Sequence, residues 1–194
     1  GCADLGVLAP DTMSRILIRN AIVLPMDDQP QAIEPGFVAI QDQDILAVGS
    51  EPADVQGPWD TVIDASGMAA LPGFVNAHTH AAMTLVRGYA DDMPLMPWLQ
   101  EKIWPLEAML DKGDIYWGTL LAIAEMLRAG VTTFNDMYYY YNVVARAVEE
   151  SGIRACLSGV LLGFLKEADR HLRWAIKFAR AFRGRADGRI QTMF

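Results

Sequence analysis

The residues best suited to chemistry are two histidines separated by one residue, His78 and His80, in the run Asn76-Ala-His-Thr-His. They are two of the three histidines in the chain, so the pair does not arise from a histidine-rich background. Side chains at i and i+2 of a strand point to the same face, and imidazole nitrogens are common ligands of divalent metals. The pair therefore predicts two adjacent ligands of one metal ion. The alternative is a surface strand that carries two histidines by chance.

A metal site in a protein needs at least three protein ligands. The third histidine, His171, lies at the start of a predicted helix, far from any strand end, and is expected to face solvent. We therefore expect the missing ligands after Phe194. On this interpretation the chain is the N-terminal part of a longer protein. Because unpaired strand edges promote aggregation, we expect the 194 residues alone to be inactive and poorly soluble.

The residues before the histidine pair predict a small all-β unit. Short runs of β-branched and apolar residues alternate with polar or Gly- and Pro-rich segments, at residues 16–26, 37–40, 45–48 and 62–64. The tetrad Gln41-Asp-Gln-Asp predicts a hairpin turn between the second run and the third. We assign residues 1–13 to a tail and residues 14–67 to this β unit.

From residue 68 onward the sequence predicts alternating strands and helices. The apolar run 70–77 is typical of a strand buried on both faces. Helical periodicity predicts three helices: one that begins at Asp114, which is expected to be its cap, one at 143–148 and one at 172–182. Further strands are predicted at 131–134, 153–157 and 189–194. Repeated β/α units imply a parallel sheet, either doubly wound or closed into a barrel.

The length of this second region bears on the choice between an open sheet and a barrel. A (β/α)₈ barrel typically needs ~250 residues, and residues 68–194 are about half of that. Ligands in such barrels lie at the C-terminal ends of the strands, which is where the histidine pair is predicted. The placement strengthens the interpretation as a metal site.

The charge and composition exclude several classes of partner. Acidic residues outnumber basic ones by 24 to 16, which gives a net charge of −8. A chain this acidic repels phosphate backbones and anionic lipids, so we expect neither nucleic acid nor a membrane as partner. Cys2 and Cys156 make neither a disulfide framework nor a zinc knuckle. With no recognisable targeting signal, the expected compartment is the cytoplasm.

The segment around the histidine pair resembles one protein family. From Leu71 it reads Leu-Pro-Gly-Phe-Val-Asn-Ala-His-Thr-His-Ala-Ala-Met-Thr-Leu-Val-Arg-Gly-Tyr-Ala-Asp-Asp, and Trp104-Pro-Leu-Glu follows. The His-x-His strand resembles the amidohydrolase superfamily. The segments Arg87–Asp92 and Trp104–Glu107 are similar to its 5-methylthioadenosine/S-adenosylhomocysteine deaminases.

The resemblance implies a fold and an activity. Residues 68–194 would be the first half of a (β/α)₈ TIM-like barrel, preceded by strands of a small β-sandwich. One divalent metal, zinc with Fe²⁺ or Mn²⁺ as alternatives, would be held by His78, His80 and later ligands. A later glutamate would move protons, so no catalytic residue is expected before Phe194. The implied reaction is hydrolytic deamination of 5-methylthioadenosine, S-adenosylhomocysteine or adenosine to an inosine-type product and ammonia, by a homo-oligomer.

Glu107 is the substrate-binding residue that the resemblance implies. In the similar deaminases the matching glutamate holds the ribose hydroxyls. A carboxylate suits this task because it accepts two charge-assisted hydrogen bonds from a vicinal diol. The alternative is an ordinary helix-surface glutamate near Lys102 or Lys112.

Other polar residues near the predicted strand ends each have two interpretations. Asp136 is either a rim residue with a catalytic task or an aspartate that caps a turn or helix. Tyr138–Tyr141 either form the wall of a pocket for a flat base or belong to a helix start or a subunit interface. Arg87, Asp91 and Asp92 are either lid residues or members of loop salt bridges.

One position departs from the family pattern. The family has a substrate-binding arginine after its third strand, whereas the matching position here is Gly159, and Arg154 is expected to be structural. This leaves room for another amidohydrolase that acts on an amino- or chloro-heterocycle such as guanine, a pterin or a triazine. An alternative from a different class is a metal-free barrel relative with a binding or structural role, although two intact histidines argue against it.

Overall fold

A computed structural model describes residues 14–28, 31–50, 55, 57–161 and 168–193. These residues form two compact units that divide between Pro72 and Gly73. No helix in the described residues is both long enough and apolar enough to cross a membrane.

The first unit is a five-stranded sheet. Its strands are β1 (Arg15–Val23), β2 (Ile33–Gln41), β3 (Asp44–Gly49), β4 (Thr61–Asp64) and β5 (Ala69–Ala70). The order is β3-β2-β1-β4, and β5 also pairs with β1. The predicted hairpin is confirmed, because β2 and β3 are antiparallel and Asp42 between them has a φ of 54°. Leu17, Phe37 and Ala39 are buried together on this sheet.

The second unit is a four-stranded parallel sheet with helices between its strands. The strands are β6 (Phe74–Thr79), β7 (Val131–Tyr138), β8 (Arg154–Gly159) and β9 (Ile190–Thr192), in that spatial order. The connecting helices are α3 (Lys112–Arg128), α4 (Tyr141–Ser151) and α5 (Ala168–Phe182). Phe134 and Leu157 from the sheet pack with Ile123 and Val148 from the helices in one buried core. The predicted series of β/α units on a parallel sheet is confirmed.

The connection between β6 and α3 contains Glu107, the predicted substrate-binding residue. A 3₁₀ helix (Ala81–Val86) follows β6, and a continuous helical stretch then runs through α1 (Leu95–Pro97), a π-helical turn (Trp98–Ile103) and α2 (Trp104–Glu107). Glu107 is the last residue of α2. The stretch therefore sets where Glu107 meets the ends of the strands.

The predicted strand at 70–77 is wrong in extent and in burial. It is divided between β5 and β6, because Pro72 has no backbone N–H to continue a ladder. Phe74 and Val75 are 56% and 66% exposed rather than buried. Within the described sheet β6 has a neighbour on one side only, β7, which accounts for this exposure.

The predicted cap of α3 is one turn too late. Asp111, not Asp114, is the N-cap, and its carboxylate accepts hydrogen bonds from the backbone N–H groups of Gly113 and Asp114. The Asp114 carboxylate in turn accepts from the N–H of Asp111 at 2.9 Å. This reciprocal arrangement is a capping box, which uses both acidic residues at one helix start.

Candidate metal and substrate site

The two histidines converge, as their spacing predicts. Their ring centroids lie 5.0 Å apart and the rings are nearly perpendicular, at 77°. His78 is exposed and His80 is half-buried at the C-terminal end of β6. Both side chains are therefore close enough to serve one small ligand.

A backbone carbonyl fixes which nitrogen of His80 is free. His80 Nδ1 lies 2.8 Å from the carbonyl oxygen of Met137 on β7. Because a carbonyl can only accept, Nδ1 must carry the proton, and in the neutral imidazole Nε2 then keeps its lone pair. Metal-ligating histidines are commonly oriented in this way through their second ring nitrogen. His80 is thus held in the tautomer that a metal ligand requires.

The histidine pair could supply two ligands of a metal ion. Among the described residues, no group of three or more His, Cys, Asp or Glu side chains lies close enough to bind one ion. The two imidazoles, with one tautomer fixed, nevertheless have the right donor chemistry for zinc. They fit as two of the ligands of such an ion.

Asp136 has a capping task. Its Oδ1 accepts hydrogen bonds from the Thr79 hydroxyl and from the backbone N–H of Ala81, both at 2.7 Å. Ala81 is the first residue of the 3₁₀ helix, so the carboxylate caps that helix from the neighbouring strand. Burial raises the pKa of Asp136, and these two bonds act in the opposite direction. The geometry agrees with the capping interpretation of this residue.

Glu107 accepts a hydrogen bond from a buried tyrosine. The hydroxyl of Tyr138 donates to Glu107 Oε1 at 2.8 Å. Burial raises the pKa of Glu107, while the Tyr138 hydroxyl and the proximity of His80 oppose the rise. The pKa of Tyr138 is raised far above its ordinary value, first by burial and then by Glu107, so its phenol stays a donor. Among the described contacts, no salt bridge joins Glu107 to Lys102 or Lys112.

Tyr138 connects Glu107 to the histidines. Its ring centroid lies 6.1 Å from that of His80. The residues that the sequence singled out on three different segments, at 78–80, 107 and 138, are therefore neighbours. The link through Tyr138 is a geometric finding, since the sequence offered a pocket wall as one of two interpretations of the tyrosines and predicted no contact with Glu107 or His80.

A cavity of about 920 Å³ opens beside the Glu107–Tyr138 pair. Its volume is near the upper end of the usual range for small-molecule sites, roughly 300–1,000 Å³. Most of the described lining is apolar or aromatic, and it includes Trp104, Tyr138, Tyr139, Tyr140, Tyr141, Trp174, Phe178 and Phe182. All four tyrosines take part, as the pocket-wall interpretation requires. The histidine pair does not belong to the described lining, and Tyr138 lies between the pair and the cavity.

His171 lies elsewhere than expected. It is half-buried on α5, stacks on Trp174 with ring centroids 6.1 Å apart, and lines the cavity. The predicted solvent-facing position is wrong because the first turns of α5 lie against the cavity. His171 still belongs to no described group of three ligand-type side chains.

The tyrosine wall also explains the glycine at the end of β8. A Cβ on Gly159 would lie 2.9 Å from Cε1 of Tyr141, whose ring packs against Phe178 at 4.4 Å. A side chain at position 159 would therefore meet the Tyr141 ring. Of the other candidates, Arg87 pairs with Glu125 of α3 in an exposed salt bridge, and Arg154 is exposed at the start of β8.

Comparison with known proteins identifies the family. The model of the amidohydrolase family matches residues 69–194. The chain belongs to the amidohydrolase family. The resemblance that rested on the His78 and His80 motif is therefore confirmed.

Named relatives of this amidohydrolase chain are deaminases. It is 51% identical over 183 residues to a 5-methylthioadenosine/S-adenosylhomocysteine deaminase from Desulforamulus reducens, and this match covers 93% of the chain and 42% of the relative. It is 47% identical over 184 residues to a 5′-deoxyadenosine deaminase from Methanosarcina acetivorans, covering 94% of the chain and 42% of the relative. The chain thus spans about two fifths of the curated relatives that it matches.

One similar solved structure contains zinc. The chain matches a crystal structure of an adenosine deaminase from Xanthomonas campestris with bound zinc, with a TM-score of 0.79 and 35% identity. The match covers 93% of this amidohydrolase chain and 42% of the neighbour.

Proposed function

We propose that the protein carrying this chain is a zinc-dependent hydrolytic deaminase of adenosine-type nucleosides. The observation that carries the proposal is the junction at Tyr138. On one side its ring lies 6.1 Å from His80 of the convergent histidine pair, and on the other its hydroxyl bonds Glu107 beside an aromatic cavity. In this proposal the histidine pair is the metal-binding end of the site and Glu107 is the sugar-binding end, and both adjoin Tyr138.

The proposal gives each end a task. Zinc bound by His78, His80 and further ligands would lower the pKa of a bound water toward ~7 for hydrolysis. Glu107 accepts hydrogen bonds from the two ribose hydroxyls, and Tyr138 keeps its carboxylate oriented and charged. The aromatic wall offers flat apolar faces on which the purine nucleoside can pack.

The relatives support both the chemistry and the larger fold. Proteins about half identical to this chain are named as deaminases of 5-methylthioadenosine, S-adenosylhomocysteine or 5′-deoxyadenosine, and a 35% identical neighbour holds zinc. On the same grounds we propose that the parallel sheet of the second unit is the first part of a TIM-like barrel, and that the first unit supplies strands of a β-sandwich. A homo-oligomer stays a prediction, which light scattering on the intact protein can check.

Metal analysis tests the histidine pair. We expect the intact protein, purified without chelators, to carry about one equivalent of zinc or another divalent ion, and His78→Ala and His80→Ala each to lose most of it. His171→Ala is the matched control, since it changes a histidine outside the pair and should keep the metal. Less than about a tenth of an equivalent in the wild type would instead favour a metal-free binding or structural protein.

Removal of the Glu107 carboxylate tests the sugar-binding end. Each lost hydrogen bond to a charged group is worth ~1.5–3 kcal/mol, so Glu107→Ala should lower kcat/KM for ribonucleosides by about ten- to a hundredfold. The same change should cost little with a 2′,3′-dideoxynucleoside. Glu101→Ala, an exposed glutamate in the same helical stretch, is the control. Equal losses on both substrates would show that Glu107 does not bind the ribose.

A substrate panel tests the reaction class. We expect turnover of adenosine, 5-methylthioadenosine, S-adenosylhomocysteine or 5′-deoxyadenosine, followed as loss of the adenine absorbance and release of ammonia. Turnover of guanine, a pterin or a triazine without any nucleoside activity would replace the nucleoside assignment by that of another amidohydrolase.

A further inference from the structure

The pairing of β6 with β7 is irregular at the histidines. Asn76 pairs with Phe134 and Thr79 pairs with Asp136, so β6 advances three residues while β7 advances two. A strand with one extra residue forms a bulge, and a slip of one residue moves the following side chains to the opposite face. Asn76 and Thr79, although three residues apart, accordingly both face α3, where they line a small cavity with Ala122, Glu125 and Met126 of that helix. By alternation from Thr79, the bulge places His78 on the other face.

Three consecutive residues of β7 hold this bulged segment. The side-chain amide of Asn135 donates to the carbonyl of Ala77 at 3.0 Å. Asp136 accepts hydrogen bonds from the Thr79 hydroxyl and the Ala81 N–H, and the Met137 carbonyl accepts one from His80 Nδ1–H. Ala77, Thr79, His80 and Ala81 are thus each hydrogen-bonded to this part of β7.

Asn135 acts at the centre of the bulge. Ala77 directly precedes His78, and it lies inside the irregular stretch between Asn76 and Thr79. The orientation of the Asn135 amide is determined, because the reverse orientation would set its oxygen against the Ala77 carbonyl. Asn135 Oδ1 is buried and has no hydrogen-bond partner among the described residues. The asparagine therefore contributes its donor, at the expense of a buried acceptor without a partner.

We propose that Asn135 is a positioning residue for the metal site: its side-chain amide closes the β6 bulge and thereby aims His78 and His80 at one ion. The inference rests on the proposed metal-binding function. It assigns to Asn135 a task that requires a side-chain N–H donor. Neither bulk nor charge would replace that donor.

The experiment compares Asn135→Leu and Asn135→Ala with wild type in the intact protein. Thr133→Val is the matched control, because it removes a polar group two residues earlier on the same strand and no hydrogen bond is described for it. Zinc affinity is measured by competition with a chromophoric chelator. The tautomer of His80 is measured in the metal-free proteins by NMR of ¹⁵N-labelled histidine, with His80→Gln to assign the signal.

We expect both Asn135 variants to lose zinc affinity by about tenfold or more, as is usual when a group that orients a ligand is removed. We also expect the population of the Nδ1–H tautomer of His80 to fall, while the melting temperature stays close to that of Thr133→Val. Unchanged zinc affinity and an unchanged tautomer in a folded Asn135 variant would overturn the proposal. If Asn135→Leu does not fold, Asn135→Ala decides.

A failure of the proposed function has a different signature. A wild-type protein that binds no zinc would refute the proposed metal site. The His80 tautomer in metal-free wild type and Asn135→Ala would still show whether Asn135 positions the segment, since that measurement needs no metal.

Discussion

Replacement of Tyr138 by phenylalanine separates the electrostatic role of this residue from its packing. Tyr138→Phe keeps the buried ring and removes only the hydroxyl that donates to Glu107. That bond lowers the pKa of Glu107 against the effect of burial. Its loss must therefore raise the pKa of Glu107 further, because the charged form loses a partner and the neutral form loses little.

The size of the effect follows from the bond. A hydrogen bond to a charged group contributes ~1.5–3 kcal/mol, and one pKa unit corresponds to about 1.36 kcal/mol. Glu107 is half-buried, so water can replace part of what the hydroxyl supplies, and the lower end of this range applies. We expect a rise of about one pKa unit.

The assay is the pH dependence of kcat/KM for a ribonucleoside in the intact protein. If Glu107 must be ionised to accept the ribose hydroxyls, its protonation produces an acid limb, which Tyr138→Phe should move to higher pH by about one unit. On the alkaline side of this limb the carboxylate is ionised in both proteins, so the plateau should change by less than about threefold. Tyr139→Phe is the control, because Tyr139 lines the same cavity and no hydrogen bond to Glu107 is described for it.

Two results would refute this reasoning. One is an acid limb that stays in place while the plateau falls by more than about tenfold, which would mean that the hydroxyl contacts the substrate itself. The other is the same shift in a Glu107→Gln background, where the carboxylate that should titrate is absent.

Two further predictions concern stability and are checked by thermal unfolding. Gly159→Ala should destabilise the protein by ~1–3 kcal/mol, because the new Cβ would lie 2.9 Å from the Tyr141 ring. This destabilisation should be smaller in a Tyr141→Leu background. An unchanged melting temperature would contradict the packing argument. Asp111→Ala should lower the stability by ~0.5–2 kcal/mol, because two N–H groups of α3 lose their acceptor. The control is Lys112→Ala, which changes the exposed neighbouring residue and should have little effect. Equal destabilisation by both substitutions would show that the cap is not the cause.

Local patterns predicted much of the second unit. The helical period predicted α3, α4 and α5, and the strands predicted at 131–134 and 153–157 overlap β7 and β8. The convergence of His78 and His80 followed from a spacing of two. These features depend on neighbours in sequence, which is why they could be read from the sequence.

The parts that could not be predicted depend on distant contacts. The bulge in β6 requires knowledge of its register with β7, and the partner of His80 is a backbone carbonyl that any residue at 137 would provide. The bond from Tyr138 to Glu107 joins residues 31 positions apart. The exposure of Phe74 depends on the position of β6 in the sheet, whereas the apolar composition of the run favoured a buried strand. The error at the α3 cap has a local cause instead. Asp111 and Asp114 are both acidic and lie three residues apart, so either of them matches the sequence pattern of a helix start.

The hydrogen bonds that join residues 77–81 to residues 135–137 have a consequence for protein engineering. They connect positions 55 to 58 residues apart. A peptide or loop graft that carries only Asn76–Ala81 would bring both imidazoles to a new scaffold without the partners that orient them. A graft that keeps these partners must carry β6 together with β7 and the connection between them, so that the slipped register is transferred with the histidines.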